Sequence, residues 1–135
     1  MDDKTTTSPS PNGKKVLCIE DERFISELYA RALTKAGYDI VIEPDGQKAL
    51  DVAQTDAFDI ILLDLMIPTI TGFEVLSKLR DTSVTPRLKA KIIITTNLEQ
   101  REDVRQSIEE QADGYLVKAE ITPRELVEFL SHLDT

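Results

Sequence analysis

The sequence predicts an α/β protein in which five β-α units wind into a three-layer α/β/α sandwich around a parallel sheet. Three observations predict it. Short apolar runs alternate with longer stretches of helical spacing, the pattern of parallel strands joined by right-handed crossovers. Two of the runs, IILL at 60–63 and III at 92–94, are apolar without interruption, as strands buried on both faces are. Each helical stretch has one apolar face, suited to lie as a layer over a sheet. Five units are too few to close an eightfold barrel, and neither an internal repeat nor a second domain is visible.

The elements follow in chain order. Residues 16–19 (VLCI) form the first strand and end at Glu20 and Asp21. Residues 22–36 form the first helix, with Ile25, Leu28, Tyr29, Ala32 and Leu33 at helical spacing and Gly37 as its stop. The second strand is 38–42, and 45–55 is a short helix with Ala49, Leu50 and Ala53 on its apolar face. The third strand is 59–63. A loop carrying Pro68 leads to Gly72 and a third helix at 73–80. A polar connection, 81–90, precedes the fourth strand at 91–95. The fourth helix, 99–111, has a thin apolar face of Val104 and Ile108, and the fifth strand is 115–117. Pro123 opens the last helix, where proline is tolerated in the first turn, and Leu126, Phe129, Leu130 and Leu133 form its stripe.

The chain has 135 residues, enough to bury a core without disulfides or a structural metal. Residues 1–13 (MDDKTTTSPSPNG) are rich in Thr, Ser and Pro and read as a disordered leader; residues 14–135 form the domain. The leader has no apolar signal-peptide region, and no stretch approaches the roughly 18 apolar residues of a spanning helix. The expectation is a cytoplasmic protein with no membrane partner. The formal net charge of −9 repels phosphate backbones, so no direct nucleic-acid contact is expected. Cys18 is the only cysteine, which excludes an internal disulfide and a multi-cysteine metal site; it reads as a core residue of the first strand.

One carboxylate interrupts the greasiest stretch of the chain, IILLDLMIP at 60–68. Burying an unpaired charge is expensive, so Asp64 must lie at the edge of the run, have a partner, or both. In an open parallel sheet, ligands bind beyond the carboxyl ends of the strands. The first strand delivers Glu20 and Asp21 there, the third Asp64, the fourth Thr95 and Thr96, and the fifth Lys118. Singly, each has an ordinary explanation: a helix cap, a turn former, a β-branched strand end, a solvated lysine. Together, three carboxylates at one edge repel one another, and Mg²⁺ with its preference for oxygen ligands relieves that repulsion. A hydroxyl and an ammonium nearby suit the oxygens of a phosphoryl group. The chemistry suggested is phosphoryl transfer onto a carboxylate.

The runs VLCIED, IILLDLMIPTITG, IIITT and GYLVK, in this order and spacing, resemble the receiver domain of two-component response regulators over about residues 14–133. The resemblance implies a flavodoxin-like, doubly wound (βα)5 fold with strand order 2-1-3-4-5. It implies Asp64 as phosphoacceptor, and a Mg²⁺ site made by Glu20, Asp21, Asp64 and the backbone carbonyl of Met66. Thr95 and Lys118 would contact phosphoryl oxygens, and Tyr115 would be the switch aromatic that turns inward as Thr95 moves. Met66 and Asn97 occupy positions that tune phosphoryl lifetime in the family. The chain departs from the common pattern at Glu20 (usually aspartate), Ala119 (usually proline) and Gln111 (often glycine).

The implied function is a phosphorylation-dependent switch of the stand-alone, single-domain type. It would be charged by a sensor histidine kinase or phosphotransfer protein and signal to a protein target through its fourth helix, fifth strand and fifth helix, as a monomer or weak dimer. It would be no enzyme beyond its own phosphorylation and dephosphorylation. Two alternatives stand beside it: a receiver-like interaction module that no longer uses phosphate, and a hydrolase of haloacid-dehalogenase type. The hydrolases carry Asp-x-Asp, whereas the residue two after Asp64 is Met66, which has no proton to exchange.

Overall fold

The computed structural model describes residues 13–97 and 99–133, so the expected leader lies outside the described residues apart from Gly13. Among the described residues five strands and five helices alternate: β1 (Lys15–Ile19), α1 (Arg23–Lys35), β2 (Asp39–Glu43), α2 (Gly46–Ala53), β3 (Ile60–Asp64), α3 (Gly72–Arg80), β4 (Lys91–Thr96), α4 (Glu102–Gln111), β5 (Gly114–Val117) and α5 (Pro123–Ser131). The strands form one parallel sheet in the order β2-β1-β3-β4-β5, the order expected.

The alternation of side chains along each strand explains the continuous apolar runs. On one face Leu17, Ile19, Ile61, Leu63, Ile92 and Ile94 pack with α2, α3 and α4, including Ala49, Leu50, Leu76, Leu79 and Ile108. On the other face Val16, Cys18, Ile60, Leu62 and Ile93 pack with Tyr29 and Leu33 of α1 and Leu126 and Leu130 of α5. Every residue of β3 is buried, because β3 is the central strand and both of its faces are covered. The edge strand β2 is the contrast: Val41 and Ile42 are each 37% exposed.

Boundaries differ from expectation by a residue or two except at α4, which begins at Glu102 rather than 99. The preceding backbone has other partners: the Gln100 N–H donates to the Tyr115 hydroxyl at 3.0 Å. A single 3₁₀ turn, Lys118–Glu120, follows β5 and was not expected from the sequence. At α5 the Thr122 hydroxyl accepts from the Glu125 N–H while the Glu125 carboxylate accepts from the Thr122 N–H, a capping box ahead of Pro123.

The start of α3 lies directly against the end of β3. A Cβ on Gly72 would sit 2.2 Å from the Asp64 carbonyl oxygen and 2.6 Å from the Leu65 Cα. Both obstacles are backbone, so neither can swing aside. Gly72→Ala is expected to destabilise the fold by about 2 kcal/mol through overpacking, lowering the urea midpoint without changing the slope of the transition. A midpoint equal to that of the wild type would show that the two segments can separate freely.

Candidate functional site

Strand connections leave β1 toward one side of the sheet and β3 toward the other, so the carboxyl ends of these neighbours mark the point where strand order reverses. Ile19 of β1 pairs with Leu63 of β3, which sets the following residues, Glu20 and Asp64, side by side. Carboxylate oxygens of Glu20, Asp21 and Asp64 lie within 4.8 Å of one another. Glu20 and Asp64 are each only 2% exposed, whereas Asp21 is exposed. Lys118, delivered by β5, reaches over the end of β4 to both buried carboxylates: its Nζ donates to Glu20 Oε1 at 2.6 Å and to Asp64 Oδ2 at 3.1 Å. Asp64 therefore stands at the edge of its apolar run and also has a partner.

The remaining oxygens are aimed by the backbone. Glu20 Oε2 accepts the Glu22 N–H at 3.0 Å, and Asp64 Oδ1 accepts the Met66 N–H at 3.1 Å. Burial, and after it the field of Asp64, pushes Glu20 above its ordinary value despite the hydrogen bond from Lys118. Burial pulls Lys118 down, but the hydrogen bond it donates to Glu20 and the charges of Asp64 and Glu20 outweigh it, so Lys118 rises and stays an ammonium. One cation faces three carboxylates. That donor set, all hard oxygen and short of positive charge, fits a divalent cation such as Mg²⁺. Beneath it, burial and then Glu20 push the Cys18 thiol up to about 12, which makes it an inert core group.

The other expected residues fall in three places. Thr95 is the register partner of Asp64 on β4, with 2% exposure, so it stands directly beside the carboxylate cluster. Met66 and Asn97 follow β3 and β4 at the rim and are exposed. Tyr115 is half-buried on β5, and its hydroxyl accepts the Gln100 N–H. The Arg105 guanidinium lies over its ring at 4.7 Å and is itself paired with Glu99 at 2.7 Å. Sequence reasoning missed Arg105 and Gln100, since neither belongs to a motif; only the i to i+4 pair of Arg105 and Glu109 was readable in advance.

The family profile for the response regulator receiver domain matches residues 16–131. The chain belongs to that family. It is 35% identical over 113 residues to the alkaline phosphatase synthesis transcriptional regulatory protein PhoP of Bacillus subtilis, an alignment covering 84% of this chain and 45% of PhoP. The chain thus spans about half the length of the curated relatives it matches. Among solved structures it is similar to the BeF3-activated N-terminal receiver domain of Klebsiella pneumoniae RstA, with TM-score 0.75, 28% identity and coverage of 90% of this chain and 99% of that one. It is equally similar to the Mn²⁺-bound form of the response regulator Rcp1, with TM-score 0.75, 25% identity and coverage of 90% and 97%. Receiver domains are signalling switches of two-component systems rather than conventional enzymes. Receiver domains typically bind Mg²⁺ in an acidic pocket, and response regulators receive phosphate from histidine kinases. The expectation of no nucleic-acid contact gains no support from a relative that is named a transcriptional regulator. Among the described residues no helix is long and apolar enough to cross a membrane.

The direction of the Glu20 shift fixes a pH dependence. A carboxyl raised on folding contributes stability that is complete below its ordinary value near 4.5 and is lost as pH rises through the higher folded value. In metal-free buffer, the stability difference between wild type and Glu20→Gln should therefore move in favour of the variant as pH rises from about 4.5 to neutral. Urea midpoints across that range read it, and a movement in the opposite sense would show that Lys118 outweighs burial at Glu20.

Proposed function

We propose that this receiver domain is a phosphorylation-dependent switch whose phosphoacceptor is Asp64. The observation that carries the reading is the placement of one carboxylate at the switch point of the sheet, in contact with a buried lysine and within 4.8 Å of two further carboxylates. In the reaction an Asp64 carboxylate oxygen attacks phosphorus, a P–O bond forms, and the P–N bond to the donor imidazole of a histidine kinase or phosphotransfer protein breaks. Glu20, Asp21, Asp64 and the Met66 carbonyl would hold a Mg²⁺ ion, which would supply neutralising charge for the incoming group. Lys118 serves the same end from the protein side: by releasing the Asp64 oxygen it can take a phosphoryl oxygen at nearly the same place. Thr95, beside Asp64 in the register, offers its hydroxyl to another phosphoryl oxygen.

The same reading places the output on α4, β5 and α5. Withdrawal of Thr95 toward the phosphoryl group would free space for Tyr115, and the thin apolar contact of α4, with Ile108 its one buried residue, suits an element that shifts. The domain would act in the cytoplasm, on a downstream protein, as monomer or weak dimer. The Mn²⁺-bound Rcp1 and the BeF3-activated RstA receiver support a site for a divalent cation and a phosphoryl-like group in proteins of this fold. The hydrolase reading loses ground because Met66 is exposed and apolar where an acid/base carboxylate would be required. The phosphate-independent reading leaves the carboxylate cluster without a task.

Intact mass after incubation with acetyl phosphate and Mg²⁺ tests the assignment. One phosphoryl adduct is expected, lost on omission of metal and lost in Asp64→Asn; an adduct that persists in Asp64→Asn would refute Asp64 as acceptor. Met66 cannot orient an attacking water by hydrogen bonding. Met66→Asn should accordingly shorten the lifetime of the adduct by a factor on the order of several. An unchanged decay rate would remove Met66 from the set of tuning residues.

A further inference from the structure

Residues 65–71 join the acceptor strand to α3, and they are anchored twice. At the near end the Leu65 N–H donates to the Thr95 carbonyl at 3.3 Å, and the Leu65 carbonyl accepts from the Gly72 N–H at 2.9 Å. At the far end the loop meets the start of α2. The Pro68 carbonyl accepts both the Ile70 N–H at 3.0 Å and the Gly46 N–H at 3.1 Å. Thr69 sits in the turn so formed with φ of 78°, a strained conformation for a β-branched residue that persists only where its surroundings over-determine it. Its hydroxyl donates to Asp45 Oδ1. Gly46 is buried, and a Cβ there would lie 2.4 Å from the Ile70 carbonyl oxygen, so α2 and the loop touch through backbone.

We propose that the Thr69 hydroxyl and the Asp45 carboxylate form a positioning clasp that holds the 65–70 loop, and with it the Met66 carbonyl, in the geometry that a divalent cation requires. The proposal rests on the reading of the acidic pocket given above. Met66 lies between the two anchors, one residue past Leu65 and two before Pro68, and its N–H is already bonded to Asp64 Oδ1. A turn that rotates at 68–70 therefore rotates the peptide groups around Met66. Capping alone does not account for Asp45: the cap uses only Oδ2, which accepts the Lys48 N–H at 2.9 Å, and leaves Oδ1 for the loop. The Thr69 hydroxyl is also the chief group pulling Asp45 below its ordinary value, which keeps both oxygens as acceptors. Neither Thr69 nor Asp45 is one of the clustered carboxylates, so both are positioning residues.

Isothermal titration of Mg²⁺ into the phosphate-free protein tests the clasp, with urea midpoints alongside to establish that each variant is folded. Thr69→Val keeps the branched shape and loses the donor; Thr69→Ser keeps the donor. Asp45→Ser keeps a competent helix cap and loses the second oxygen. Thr69→Val and Asp45→Ser are expected to bind Mg²⁺ about tenfold more weakly, as removal of an outer partner of a metal ligand does, with Thr69→Ser within about twofold of wild type. Wild-type affinity in either Thr69→Val or Asp45→Ser would overturn the clasp, and so would a Thr69→Ser as weak as Thr69→Val. If the wild type itself takes up no Mg²⁺, the reading of the pocket falls and the clasp with it; uptake by the wild type with unaffected variants fells the clasp alone.

Discussion

The structure of the site depends on one buried ammonium. Lys118 Nζ, with its side chain 4% exposed, stands between Glu20 and Asp64, whose side chains are 2% and 3% exposed. Two carboxylates that far from water would carry a desolvation cost of several kcal/mol each, and removal of a buried partner typically costs about 3–5 kcal/mol. The contact also ties together the ends of three strands, β1, β3 and β5, of which β5 is two places from β3 in the sheet. It does so without a proline after the lysine: Ala119 is the middle residue of the 3₁₀ segment Lys118–Glu120. The neutralisation is partial. Asp21 remains exposed at the rim, and on the proposed reading the surplus negative charge would favour a cation there.

A second constraint is steric and belongs to the backbone. The core delivers Asp64 rigidly, because every residue of β3 is buried and its neighbours β1 and β4 are buried at all but their first residues, Lys15 and Lys91. Beyond the strand the chain has little freedom either. Gly72 lets α3 start in contact with the Asp64 peptide, and Gly46 lets α2 touch the loop that leads there. Two glycines thus convert the packing of two helices into a fixed position for one carboxylate. Geometry of this kind matters for phosphoryl transfer, where the protein contributes mainly position and charge.

Most of the fold was legible in the sequence because its signals are local. Periodicity placed the five strands and five α-helices of the described residues, and IILL and III identified β3 and β4 as doubly covered strands. The start of α4 was misplaced because Glu99, Gln100 and Arg101 are as acceptable in a helix as their successors. What excludes them is tertiary: the Tyr115 hydroxyl, fifteen residues away, takes the Gln100 N–H. The carboxylates were legible as a group from strand ends alone. The pairing of Lys118 with both of them was not, since its reach across β4 depends on strand order and on the turn after β5. Thr69 and Asp45 were invisible for a similar reason: a strained φ and a contact across twenty-four residues leave no periodic trace.

The contrast between the two ends of the molecule's polar network bears on how a switch can work. At the acidic pocket the contacts are buried and charge-assisted, and they hold one geometry. At Tyr115 they are peripheral: a hydroxyl accepting a backbone N–H in the β4–α4 connection, and a ring beneath Arg105, whose guanidinium is shared with Glu99 and Glu109. Interactions at exposed positions are individually weak and screened by salt. On the proposed reading, a phosphoryl group that draws Thr95 inward acts on the strong end of the network, and the weak end yields. Arg105 then has a definite part in the equilibrium, because it holds both the ring and the connection in the arrangement described here. On that reading the contact of Arg105 with the ring is lost if Tyr115 turns toward β4, whereas its pairs with Glu99 and Glu109 do not depend on the ring, so the ring contact would oppose the activated state and bias how much of it is populated without phosphate.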